Sequence, residues 1–160
     1  MPESEEHDKN PCPERVSKLQ GHFFVPSYQR GYRWGEHEVK ALLDDIYGCR
    51  HLPPDTKYCL QPIVVKKKVA GAAAGEPEMG LPAHGQVYYE LIDGQQRLTT
   101  LYLLYLYLKQ AKGIEPRFSL AYETRPGSAD YLRNPDEAQR DVNIDFFHMH
   151  QAYRCIRNWF

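Results

Sequence analysis

Residues 93–97, Asp-Gly-Gln-Gln-Arg, place a carboxylate, two carboxamides and a guanidinium within five consecutive positions. Groups of this kind bind phosphate and read base edges. They follow an apolar strand, Val87 to Ile92, and open a helix that continues as a Leu/Tyr ladder to Leu108. A strand–turn–helix junction gathers unpaired backbone N–H groups at the positive end of a helix dipole. Such a point attracts anions, phosphate above all. Arg97 is suited to bidentate pairing with a phosphate, and Asp93 to holding a divalent ion or a ligand hydroxyl. A purely structural account also exists. Asp93 would be the helix N-cap and Gln96 its capping-box partner. That account leaves Gln95 and Arg97 unexplained, since polar groups at the mouth of an apolar helix are costly unless they meet solvent or a ligand. Thr99 and Thr100 read as helix filler.

A second constellation is Val25-Pro26-Ser27-Tyr28-Gln29-Arg30-Gly31-Tyr32-Arg33-Trp34. Aromatics interleaved with two arginines and an amide can stack bases and neutralise phosphates. Tyr32 and Trp34 read as core aromatics, Gln29 and Arg30 as functional. A third is Tyr122-Glu123-Thr124-Arg125, where Arg125 adds a second cation to a phosphate site or forms a surface pair with Glu123. His148 and His150 form an H-x-H without the further ligands a metal site requires, so no metal site is expected. There is no G-x-x-x-x-G-K-[ST] loop and no G-x-S-x-G elbow. The lysine run 66–68 reads as a solvated strand end.

Several elements must position these groups. Residues 1–18 are charged, carry three prolines and read as a mobile tail. A short strand lies within 19–27 and ends at Pro26. Val39, Leu42, Leu43 and Ile46 fall at i, i+3, i+4 and i+7, which predicts a helix over 36–47 stopped by Gly48. A strand over 60–66 pairs with strand 87–92 around a low-complexity excursion, 68–86. Helix 95–109 is apolar on nearly all sides and should be buried centrally. Residues 117–123 alternate as a strand. Short helical turns are expected at 128–133 and 136–141. A last helix starts near Asp145 with Phe147, Ala152, Cys155, Ile156 and Trp159 on one face. No stop signal follows Trp159-Phe160, so the expectation is a longer protein cut short.

The 160 residues suit one domain. With 20 Lys+Arg against 21 Asp+Glu, a globally basic nucleic-acid binder is excluded, though a local basic patch is not. Cys12, Cys49, Cys59 and Cys155 form no C-x-x-C pair and read as reduced thiols. The longest apolar run is too short to span a bilayer. The expectation is a soluble cytoplasmic protein with no membrane partner.

Taken together, Phe24-Val25-Pro26-x-Tyr28-Gln29-Arg30-x-Tyr32-x-Trp34 and Ile92-Asp93-Gly94-Gln95-Gln96-Arg97-Leu98-Thr99-Thr100-Leu101 resemble the GmrSD-type restriction endonuclease N-terminal domain. Tyr122-Glu123-Thr124-Arg125 with Ser128, and Asn143-Ile144-Asp145 leading to Trp159-Phe160, match the same pattern. The resemblance covers about residues 19–160. It implies an α+β fold of the ParB/sulfiredoxin-like group, a small mixed sheet flanked by helices. It also implies nucleotide binding and hydrolysis in bacterial defence against modified foreign DNA. The family commonly joins this domain to an HNH-type nuclease, for which no segment is present here, so a nuclease domain or subunit would be a partner.

The expected chemistry is phosphoanhydride hydrolysis of a nucleoside triphosphate with Mg2+. The catalytic set is Asp93, Gln95, Gln96 and Arg97. Gly94, Arg97, Arg30 and Arg125 would bind the nucleotide. Asp93 would position magnesium or the turn, and Gln95 or Gln96 would orient water. Tyr28, Gln29, Arg30 and Arg33 would contact DNA. Two alternatives stand beside this: a non-enzymatic ParB-like DNA-binding module, and an inactive gene fragment.

Overall fold

The computed structural model describes residues 14–71, 80–125 and 127–160. They form β1 (Gly21–Val25), α1 (Glu36–Gly48), β2 (Val64–Val69), β3 (Val87–Asp93), α2 (Gln95–Lys112), β4 (Phe118–Tyr122), α3 (Ser128–Arg133) and α4 (Ile144–Trp159). The strands make one sheet in the order β2-β3-β1-β4. β1 runs parallel to β3 on one side and to β4 on the other, whereas β2 is antiparallel to β3. This is the small mixed sheet with helices expected of an α+β fold, and it is consistent with the ParB/sulfiredoxin-like grouping.

Helix α2 carries the core. Every residue from Leu98 to Leu104 is buried, as is Leu106. Its 18 residues therefore have no solvated stripe along their first half, as the all-round apolar ladder predicted. It packs against α4, and α4 packs in turn against α1. Val39, Leu42 and Leu43 are the buried face of α1. On α4 the buried residues include Phe146, Met149, Ala152, Tyr153, Cys155 and Ile156. Of the face expected on α4, Ala152, Cys155 and Ile156 are buried, but Phe147 is exposed, and its neighbour Phe146 is buried and stacks on Tyr131. The reason is the start of the helix. Asn143 caps it by accepting a hydrogen bond from Phe146 N at 2.9 Å, which turns position 146 inward.

Three other boundaries move. β2 begins at Val64 rather than near residue 60 and extends to Val69. The ladder continues one step further, because Ala70 N donates to Gln86 O and Gly85 N donates to Ala70 O, both at 2.8 Å. The excursion between β2 and β3 is thus shorter than 68–86, and residues 72–79 lie outside the described residues. The expected N-terminal tail ends before residue 16. Val16–Lys18 form a 3-10 turn, and the Val16 carbonyl accepts from Tyr105 Oη at 3.2 Å; residues 1–13 are outside the described residues. No described helix is long and apolar enough to cross a membrane.

Candidate functional site

Because β1, β3 and β4 are mutually parallel, their carboxyl ends lie along one edge of the sheet. That edge is where open sheets with parallel strands place ligands. The loop 26–35 leaves β1 there, the Gly94 turn leaves β3, and residues 123–125 leave β4. β2 runs the other way and so enters at the same edge, bringing Gln61, Pro62 and Ile63 with it. Gly94 makes the turn with φ +93, and a Cβ on it would stand 3.1 Å from Ile63 Cα and 3.3 Å from Pro62 O. Both the left-handed backbone and the close approach of segment 62–63 demand glycine.

This turn corrects the capping expectation. β3 continues through Asp93, so the N-cap falls one residue later on Gly94, and no side chain caps α2. Asp93 instead accepts from Gly94 N at 2.8 Å and faces solvent. The first turn of α2 carries no acidic residue. Its N-terminal N–H groups are left for an external acceptor.

The two glutamines point to different tasks. Gln96 is a clip on the β1 loop: Oε1 accepts from Arg33 N at 2.8 Å and from Trp34 N at 3.2 Å, and Nε2 donates to Gly31 O at 2.8 Å. The carboxamide of Gln95 has no hydrogen-bond partner among the described residues and lines an open depression. Thr99 and Thr100, read as helix filler, are connectors. Thr100 Oγ1 donates to Gln96 O at 2.9 Å and lies 2.8 Å from Tyr32 Oη. Thr99 Oγ1 donates to Gln95 O at 2.7 Å and lies 2.6 Å from Tyr122 Oη. Each threonine has a single hydroxyl proton, committed to a carbonyl, so in both pairs the tyrosine is the donor. Burial pushes both phenols well above their ordinary range, which keeps them protonated as donors. Two buried chains of hydrogen bonds thus tie the β1 loop and the end of β4 to the first turn of α2.

The depression has a volume of about 460 Å³ and is lined by Arg30, Arg33, Trp34, Glu38, Gln95 and Gln96. That size is in the range of small-ligand sites. Arg30 is exposed and makes no ion pair or side-chain hydrogen bond among the described residues. Arg33 donates Nη1 to Tyr32 O at 2.6 Å and forms an ion pair with Asp145. Arg125 meets the same carboxylate from the other side, its Nε 2.8 Å from Asp145 Oδ2. The N–H of Arg125 is not aimed along that line, so the contact is ionic rather than a formed hydrogen bond. Glu123 does not pair with Arg125; its carboxylate accepts from Ser27 N at 2.5 Å and ties β4 to the β1 loop. Asp145 was absent from the sequence-based site set. An acid in the first turn of a helix is what the helix dipole favours anywhere, so apart from its place in the Asn143-Ile144-Asp145 stretch of the family pattern nothing in its local sequence marks it as a site residue.

Arg97 is not among the lining residues. Its Nη2 donates to Gln61 Oε1 at 2.6 Å, and its guanidinium carbon stands 5.9 Å from the centre of the Trp34 ring. The structure thus brings Arg30, Arg33, Gln95 and Gln96 together and sets Arg125 behind Arg33 through Asp145. It keeps Arg97 and Asp93 apart from them. Of the residues expected to contact DNA, Tyr28 is 67% exposed, whereas Gln29 donates Nε2 to Ile92 O at 2.7 Å and joins β1's loop to β3. On α4, burial and the nearby Arg33 guanidinium hold the His148 imidazole below its ordinary pKa, against the pull of Asp145. Among the described residues no three His, Cys, Asp or Glu side chains cluster as metal ligands.

No curated protein matches the chain. Residues 14–156 match the family described as the GmrSD restriction endonuclease, N-terminal domain. That span takes in the β1 loop, the Gly94 turn, Arg125 and Asp145, every segment that meets at the sheet edge. The chain therefore belongs to the GmrSD restriction endonuclease N-terminal domain family.

Proposed function

We propose that this domain binds and hydrolyses a nucleoside triphosphate as a module of a modification-dependent restriction or phage-defence system. The observation that carries this reading is the convergence of Arg30, Arg33 and the unpartnered Gln95 carboxamide on one depression beside an uncapped helix start. A polyphosphate placed there would meet the held guanidinium of Arg33, the solvent-facing one of Arg30 and helix N–H groups together, an electrostatic arrangement suited to phosphoryl transfer. Arg30 neutralises charge on the terminal phosphate. Gln95 orients the attacking water. Gln96 holds the loop that carries Arg33. Magnesium would accompany the nucleotide as its counter-ion, and Asp93, outside the depression but at the same sheet edge, is the carboxylate that would hold it. Nuclease chemistry belongs to an HNH-type domain or subunit, with the nucleotide site acting on it.

The test is hydrolysis of Mg·ATP and Mg·GTP by the wild-type chain, Arg30→Ala and Arg97→Ala. Loss of an arginine that neutralises transition-state charge lowers the rate by about 10³-fold or more, and Arg30→Ala should show this. Equal rates for Arg97→Ala and wild type would place Arg97 outside the reaction. Absence of turnover in wild type, with salt-dependent DNA binding retained, would favour the second reading, a DNA-binding module. The exposed Tyr28 beside Arg30 is the observation on that side.

A further inference from the structure

We infer that Gln61 is a positioning residue that holds the Arg97 guanidinium at the rim of the anion site, so that a bound polyphosphate recruits this cation only by breaking the Gln61 contact. The inference rests on the nucleotide reading above.

Arg97 enters no ion pair among the described residues. Asp93, four positions before it, turns to Gly94 N instead. The guanidinium goes to a neutral partner, donating Nη2 to Gln61 Oε1 at 2.6 Å and Nη1 to Gln61 O at 3.4 Å. A carboxamide cancels none of the positive charge. A phosphate offers the same fork a charged, bidentate partner. The held position is also close to the site. Arg97 follows Gln96, which lines the depression, and its guanidinium carbon stands 5.9 Å from the centre of the Trp34 ring, which lines it too. A change of rotamer in a long side chain brings such a group across that distance. Gln61, in contrast, is placed by the backbone. The β2–β3 ladder starts with Val64 opposite Asp93. Segment 62–63 lies so near the Gly94 turn that a Cβ there would stand 3.1 Å from Ile63 Cα. Gln61, just before that contact, therefore meets the first turn of α2. It is exposed and belongs to a stretch, 52–63, without helix or strand. A hydrogen bond that water also reaches adds little to stability. Its consequence lies in where the Arg97 charge sits.

The experiment is calorimetric titration of the full chain with inorganic tripolyphosphate, without magnesium so that no turnover intervenes. The proteins are wild type, Gln61→Ala, Arg97→Ala and the double variant. Release of Arg97 predicts that Gln61→Ala binds tripolyphosphate about three- to tenfold more tightly than wild type, the worth of one solvent-accessible hydrogen bond. That gain must vanish in the Arg97→Ala background, where Gln61 has no guanidinium to hold. A merely structural role for Gln61 acts equally in both backgrounds. Affinity unchanged or weakened in Gln61→Ala, or a gain that persists without Arg97, overturns the inference and leaves the nucleotide reading standing. Tripolyphosphate bound by neither wild type nor Gln61→Ala overturns both. Should Arg97→Ala fail to fold, Arg97→Met keeps most of the aliphatic stem and supplies the same comparison, and a gain that persists there overturns the inference equally.

Discussion

Gln95 and Gln96 are chemically identical neighbours, and the structure assigns them opposite consequences when truncated. Gln96→Ala removes three hydrogen bonds, to the backbones of Gly31, Arg33 and Trp34, at 2.8, 2.8 and 3.2 Å. A neutral intramolecular hydrogen bond contributes a net 0.5–1.5 kcal/mol, taken here as about 1 kcal/mol each. The site is only partly buried, so water recovers some of the lost partners. A total of roughly 2–4 kcal/mol is then expected. For a chain of this size each kcal/mol moves the thermal midpoint by about 2–4 °C, giving a fall of ~5–15 °C. Gln95→Ala removes no hydrogen bond to a described residue, and a surface truncation of that kind stays within about 0.5 kcal/mol. Its effect should appear only in nucleotide turnover. The assay is thermal unfolding followed by circular dichroism, paired with hydrolysis measured well below both midpoints. If Gln96→Ala unfolds within a degree or two of wild type, or Gln95→Ala loses as much stability as Gln96→Ala, the division of labour argued from the hydrogen bonds is wrong.

Two further outcomes are expected. Thr100→Val should cost about 1–3 kcal/mol in denaturant unfolding, because it strands the buried Tyr32 hydroxyl, and Tyr32→Phe about 1 kcal/mol, because Thr100 keeps its bond to Gln96 O. The double variant should cost clearly less than their sum, and strict additivity would remove the Tyr32–Thr100 bond as a unit. The His148 and His150 imidazoles are both held below their ordinary pKa, chiefly by burial. The unfolded chain then takes up protons more readily than the folded one, so stability is complete above about pH 6.5 and falls as pH drops through the lowered folded values. The thermal midpoint should decline between pH 7 and 5.5, and a His148→Gln/His150→Gln variant with the same decline would refute the assignment.

Much of the architecture was legible along the chain because it is written in local terms. The 3.6-residue period of Val39, Leu42 and Leu43 and the uninterrupted apolar ladder after Arg97 set α1 and α2. The alternation around Leu120 set β4. The family resemblance rested on the same two motifs that the fold brings to one edge. What failed did so for identifiable reasons. Asp93 and Gln96 satisfy a capping pattern, but whether Asp93 or Gly94 caps depends on where β3 stops, and that is decided by its pairing with β2. Thr99 and Thr100 carry no signal of their own, because their partners lie 23 and 68 residues away in the chain. Phe147 was placed inward by periodicity alone, and a cap at Asn143 moved that place to Phe146.

By itself the sequence determined that a polar cluster would sit at a turn between an apolar strand and a buried helix, and that arginines would flank it in two other segments. Hydrophobic period, glycine and the order of motifs suffice for that, since each acts over a few residues. Only the tertiary structure decided which of those cations share a site. The parallel pairing of β1 with both β3 and β4 delivers three chain segments to one edge. The carboxylate of Asp145, more than a hundred residues from Arg33, then fixes Arg33 and Arg125 together while Arg97 turns to Gln61. Charge attraction and close packing act through space, and nothing in the spacing of residues along the chain encodes those distances.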